Sequence, residues 1–126
     1  MKPARVLLYD TTLRDGAQGE GVSLSLADKL AIAERLDAFG SDYSEGGWPF
    51  SNPKDLAFYA ALRARRLRHA RVVAFGSTRK PKARASGDPN LSALVRARTS
   101  AVAIVGKSWD FHVFQALRTT LDENLR

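Results

Sequence analysis

Tyr9-Asp10-Thr11-Thr12-Leu13-Arg14-Asp15-Gly16-Ala17-Gln18-Gly19-Glu20-Gly21, set directly behind the apolar run Val6-Leu7-Leu8, is the stretch from which the fold of this chain is read. The apolar run has the length of a buried strand. The residues behind it are small and polar, poor material for helix or sheet, and so predict a loop. A strand that ends in such a loop presents arginine, carboxylates, hydroxyls and amides at one rim, where a rigid scaffold places its chemistry.

The same grammar recurs outward from that stretch. Ser25 with Asp28 three residues on predicts a capping box, and Leu26, Leu30, Ala33 and Leu36, with Phe39 at the edge, predict one helix face ending at a Gly40 cap. Ser41 to Glu45 is read as a second strand from its flanks, with Gly46-Gly47-Trp48-Pro49 as a loop. Asn52-Pro53-Lys54-Asp55 starts a helix expected to reach about Leu67. Arg71 to Phe75 is a third strand running into Gly76-Ser77-Thr78. After a long loop, Asp88-Pro89 opens a helix carrying Leu91, Leu94 and Val95, and Ala101 to Val105 is a fourth strand ending in Gly106-Lys107-Ser108. Asp110 to Arg118 has helical spacing, with Phe111, Phe114 and Leu117 on one side. A further capping box at Thr120 to Glu123, so close to Arg126, predicts that the sequence is cut inside a fourth crossover helix.

Strands alternating with helices over short connections predict βαβ units and a parallel sheet with right-handed crossovers. Ligands of such sheets bind beyond the carboxyl ends of the strands. The 126 residues predict one α/β domain, residues 1–126, made of four βα units. An open sheet of this kind has two unpaired edges, which predicts self-association, pairing with a second fragment, or poor stability of the isolated chain.

Composition narrows the chemistry. The chain has no cysteine, which removes disulfides, thiolate nucleophiles and cysteine-ligated metals. Only His69 and His112 offer imidazole. No apolar run approaches the roughly 20 residues of a membrane span, and Met1-Lys2-Pro3 carries no signal-peptide core, so a cytoplasmic location is the default. The net charge is +7, with nine Lys or Arg and no acid between Leu56 and Gly87. Those arginines are not interleaved with aromatic residues, so a solvated helix face is favoured over a nucleic-acid interface.

Asp10 and Asp15 are hard oxygen donors at a strand end, suited to Mg²⁺, Mn²⁺ or Zn²⁺, although Asp10 fits a loop-stabilising Asx-turn equally well. Arg14 offers a positive group for a developing enolate or alkoxide, and Gln18 a hydrogen bond to a carboxylate or carbonyl. Glu45 is placed either to orient Arg14 in an ion pair or to assist proton transfer. Gly16, Gly19 and Gly21 lack the spacing of a phosphate-binding loop. Trp48 is read as a pocket wall or as core, and His112 as a residue at the same rim or a structural one.

Asp10-Thr11-Thr12-Leu13-Arg14-Asp15-Gly16 with Gln18 resembles the first-strand signature of the pyruvate-carboxyltransferase-like TIM-barrel enzymes, which include 2-isopropylmalate, homocitrate and citramalate synthases and hydroxymethylglutaryl-CoA lyases. Glu45-Gly46-Gly47-Trp48-Pro49, Ser51-Asn52-Pro53-Lys54-Asp55, Ala74-Phe75-Gly76-Ser77-Thr78-Arg79 and Gly106-Lys107-Ser108-Trp109-Asp110 with His112 look most like the citramalate synthase branch. The resemblance implies the first half of a TIM barrel and a divalent-metal-dependent Claisen-type condensation of acetyl-CoA with a 2-oxo acid, pyruvate in that branch. It implies Asp15 as metal ligand, Arg14 at the keto oxygen, Gln18 near the metal site as a substrate-binding residue, and Glu45 supporting Arg14 at the pocket floor. The family's His-x-His ligand pair has no match in this sequence, so the segment alone is expected to be inactive. Ser41, Ser44, Phe50 and Arg98 depart from the family pattern. Alternatives are another 2-oxo acid, as in isopropylmalate or homocitrate synthesis, or a non-catalytic basic module that binds a polyanion.

Overall fold

A computed structural model describes residues 4–126, so the lead-in Met1-Lys2-Pro3 lies outside the described part. Four parallel strands form one sheet in the order β1-β2-β3-β4: β1 Tyr9–Asp10, β2 Tyr43–Gly47, β3 Arg71–Ser77 and β4 Ala101–Val105. Between them lie α1 Leu26–Phe39, α2 Pro53–Leu62 and α3 Pro89–Ala97. Strand order equal to chain order, with a helix in each crossover, is the first half of an eight-unit α/β barrel.

The helix starts were legible. Ser25 and Asp28 form the reciprocal capping box, and Gly40 closes α1 in the left-handed region. Asn52 caps α2 with Pro53 behind it, and Asp88 caps α3 with Pro89 behind it. The core lies between sheet and helices, where Leu13, Ala33, Phe58, Tyr59, Val72, Ala74, Leu94 and Ala97 pack together.

Several boundaries differ from expectation. β1 is Tyr9–Asp10 rather than Val6 to Leu8. Val6, Leu7 and Leu8 are exposed along the open edge, where Leu8 is held through its backbone N–H on Asp42 and its carbonyl to the N–H groups of Asp42 and Tyr43. β2 begins at Tyr43, because the Ser41 N–H is still bonded to the Leu36 carbonyl at the end of α1. It continues through Gly46 and Gly47, expected as loop, and a bulge falls between Glu45 and Gly47. Both glycines are needed: a Cβ on Gly46 would meet the Phe58 ring at 2.5 Å, and Gly47 has φ +133° with the Asp55 carboxylate where a side chain would stand.

α2 stops at Leu62, short of the expected Leu67. The Asp37 carboxylate takes the backbone N–H groups of Arg68, His69 and Ala70, at 2.7–2.9 Å, and the chain must leave the helix to reach it. On α3, Leu94 is buried and Val95 is exposed; Asn90, Ala93 and Ala97 fill the inward face instead. Asp110–His112 is a single helical turn followed by a wider π-turn over Val113–Leu117, in which Val113 is buried while Phe111 and Phe114 are half exposed. Thr120 caps the Leu121–Asn124 turn. The returning half of that capping box is absent among the described residues, since Glu123 instead accepts from Arg79 and from the Lys82 N–H.

Candidate active site at the carboxyl ends of the strands

The loop after β1 is fixed from within its own sequence. Leu13 is buried in the core at 1% exposure, and the Thr11 carbonyl accepts N–H bonds from Arg14, Asp15 and Gly16. Asp10 folds back on Thr12, taking its backbone N–H at 3.0 Å and its hydroxyl at 2.9 Å. This is the Asx-turn reading of Asp10. With Leu13 pointing into the core, Arg14 is left at the rim.

Arg14 is held on three sides. Its Nε donates to Glu45 at 2.6 Å and its Nη1 to Asp15 at 2.9 Å, and its guanidinium carbon lies 4.1 Å from the centre of the Phe75 ring. Alternation along the strands explains the company: Tyr9 and Tyr43 are register partners, and Glu45 and Phe75 lie on the same side of the sheet. Glu45 is buried and accepts a second bond, from the Tyr9 hydroxyl at 2.6 Å. Burial, reinforced by the Glu45 carboxylate, pushes the Tyr9 hydroxyl well above the usual tyrosine value, so Tyr9 stays a neutral donor. With both Glu45 oxygens occupied, this carboxylate is arranged to orient Arg14.

Gln18 reaches the same place. It lines, with Arg14, Leu13, Trp48 and Lys29, a hollow of about 190 Å³ between the β1 loop and the starts of α1 and α2. Lys29 is buried there in an ion pair with Asp55, whose other oxygen takes the Trp48 N–H at 2.9 Å.

The donor set for a divalent cation is partial. Asp15 is exposed and has one oxygen committed to Arg14, Asp10 is turned onto Thr12, and among the described residues no three His, Asp or Glu side chains converge. These residues do not by themselves make a cation centre. The His112 ring packs 4.8 Å from that of Trp109. His69 is exposed, and its backbone N–H serves Asp37. Within the basic run Arg65 is paired with Glu34, and Arg63 donates to the Arg96 carbonyl while keeping its charge.

Sequence reasoning missed Tyr9, Phe75 and Asn90. Tyr9 stands in β1, Phe75 two residues before the end of β3 and Asn90 buried in the first turn of α3, and the only linear signal was position: Tyr9 directly before the loop, Phe75 directly before Gly76-Ser77-Thr78, Asn90 behind the Asp88-Pro89 start.

A parallel sheet whose first strand runs into a loop bearing an ion-paired arginine, and whose second strand supplies the buried carboxylate, defines an α/β-barrel segment with its polar apparatus at the carboxyl rim. The chain belongs to the HMGL-like family, whose model matches residues 5–126. It is 55% identical over 121 residues to an (R)-citramalate synthase of Aquifex aeolicus, covering 96% of this chain and 23% of that protein. The (R)-citramalate synthase of Synechocystis sp. is 54% identical over 124 residues, 98% of this chain and 23% of the relative. A 2-isopropylmalate synthase of Prochlorococcus marinus is 56% identical over only 55 residues, 44% of this chain. The chain therefore spans about 23% of the length of the citramalate synthases it matches.

Proposed function

We propose that this chain forms the first part of the substrate pocket of a citramalate-synthase-like acyltransferase, which joins acetyl-CoA to pyruvate. In that reaction the methyl carbon of the acetyl group loses a proton and bonds to the keto carbon. The keto oxygen takes the electron pair and becomes an alkoxide, then a hydroxyl, and water releases the CoA thiol. The single observation that supports the reading is the state of Arg14: Nε and Nη1 are locked by carboxylates and the plane is backed by Phe75, while Nη2 has no protein partner among the described residues. A guanidinium fixed in this way donates to an oxygen that gains charge without reorganising at that moment.

In this reading Glu45 fixes the direction of Arg14, and Tyr9 keeps Glu45 in place. Gln18 binds the 2-oxo acid carboxylate or carbonyl. Asp15 gives one oxygen to a divalent cation, which would add Lewis-acid polarisation of the keto group, with its other ligands from outside these residues. Pyruvate is preferred over the bulkier acids of the isopropylmalate and homocitrate branches because the relatives matched over nearly the whole chain are named citramalate synthases.

A chimera tests the proposal: this chain replaces the aligned segment of the Aquifex aeolicus relative, and thiol release from acetyl-CoA is followed with pyruvate and with branched 2-oxo acids. Pyruvate-dependent turnover is expected, and Arg14→Lys should lower kcat by about 10²–10³, the usual effect of losing a fixed oxyanion donor. A folded chimera that turns over no 2-oxo acid, or that is indifferent to Arg14→Lys, overturns it.

A further inference from the structure

We infer that Asn90, at the start of α3, is a positioning residue for Arg14, acting through Trp48 and Phe75. This deepens the reading of Arg14 as the reactive arginine, and rests on it. The path is contiguous. Asn90 is 3% exposed; its side-chain carbonyl accepts from the Trp48 indole N–H at 2.7 Å, and its amide donates to the Ser77 carbonyl at 2.6 Å. Both ends of this short side chain are thus pinned, one to the loop after β2 and the other to the last residue of β3.

Trp48, so anchored, meets Phe75 edge to face, with ring centres 5.6 Å apart and planes at 83°. That arrangement directs the positive edge of one ring at the negative face of another, and it leaves Phe75 little freedom to turn. Phe75 in turn carries the Arg14 guanidinium at 4.1 Å. Nε–H and Nη1–H both lie in the guanidinium plane, but the Asp15 side chain is 61% exposed, so only the bond to buried Glu45 is sheltered from water, and one bond does not by itself set which way the plane faces. The ring beneath it does.

The register of the parts is fixed by close packing. A Cβ on Gly76 would meet Leu94 at 2.9 Å and the Asn90 carbonyl at 3.1 Å, so β3 must approach α3 with nothing between them, which brings Asn90 level with Ser77. Trp48 is also fixed at its backbone, through the Asp55 carboxylate. The column therefore ties the ends of β2 and β3 and the start of α3 to the plane of one side chain on the β1 loop.

The experiment reads Arg14 itself, so its failure is distinct from a failure of the proposed reaction. In the ¹⁵N-labelled 126-residue chain, hydrogen exchange of the Arg14 Nε–H and the indole signal of Trp48 are followed by NMR in Asn90→Leu and in Phe75→Leu, with Trp109→Phe removing the second indole. Loss of a face-on cation contact should speed Arg14 exchange about two- to fivefold in both variants, while backbone amides of α1 keep their wild-type rates. Phe75→Leu keeps the apolar volume and retains a test if Asn90→Leu unfolds the chain. The inference is overturned if the Trp48 signal moves in Asn90→Leu while Arg14 exchanges at the wild-type rate, or if Arg14 and the α1 amides accelerate together, which is what a merely structural role predicts.

Discussion

At the scale of single residues the candidate site is a set of side chains whose options have been closed. Leu13 is the hidden member: inside a loop that reads as wholly polar, one leucine enters the core and thereby decides that Arg14 faces the rim. Ser44 is the opposite case. It stands on β2 at 1% exposure, and its hydroxyl has no hydrogen-bond partner among the described residues. An unmade bond of this kind costs about 1–3 kcal/mol, and the serine cannot recover it from solvent. Ser44→Ala is therefore expected to raise stability by about 1 kcal/mol, read as a higher urea midpoint at unchanged slope. A lower midpoint would mean that the hydroxyl is satisfied in solution. In the sequence Ser44 departs from the family pattern, and the structure leaves its hydroxyl without a partner among the described residues.

At the scale of elements, what was legible is what local chemistry decides. Ser25, Asn52 and Asp88 each supply a side-chain oxygen to an N–H within the first helical turn, and such caps are written in consecutive residues. The ends of elements set by long-range contacts were not legible. α2 ends where it does because Asp37, some thirty positions earlier, gathers three N–H groups of the chain ahead of β3, and β2 runs through Gly46-Gly47 because Phe58, Tyr59 and Asp55 occupy the space above them. Arg14, Glu45, Asp15 and Gln18 were candidates from the motif, and the structure brings Arg14 together with Glu45 and Asp15, whereas the contacts of Phe75 and Asn90 needed the register. The Asp37 clamp has a pH signature. Burial disfavours its charge, yet the N–H groups of Arg68, Ala70 and His69 hold the carboxyl below its ordinary value of 3.8. A folded-state value below the unfolded one gives stability that is present above about pH 4 and lost as pH falls through the folded value. Asp37→Asn should cost about 2 kcal/mol at neutral pH, as charge-assisted bonds become neutral ones. The gap from the wild type should narrow toward pH 3, and a gap independent of pH would remove Asp37 from the acid response.

At the scale of the whole molecule, order β1-β2-β3-β4 leaves β1 and β4 with one neighbour each. Val6, Leu7 and Leu8 lie exposed at one edge, and Val102, Ile104 and Val105, each 43–51% exposed, lie at the other. Unpaired backbone beside exposed branched residues is a surface for strand addition. Both edges belong to parallel strands, so β4 of one copy has the same kind of ladder to offer β1 of another. The opposing force is charge: at +7 the chain repels its copies at long range, a repulsion that salt screens within about 10 Å at 0.1 M. Self-association of the 126-residue chain should therefore strengthen as salt is raised, the reverse of polyanion binding, which counterion release weakens. Sedimentation equilibrium across a salt series separates the two. Ile104→Lys places a charge on the β4 edge, the device by which exposed strands are kept apart, and should return the chain to monomer mass at every salt concentration. If wild type and Ile104→Lys are both monomers at high salt, the edges are not sites of association, and the basic run between Leu56 and Gly87 is then best tested with a polyanion.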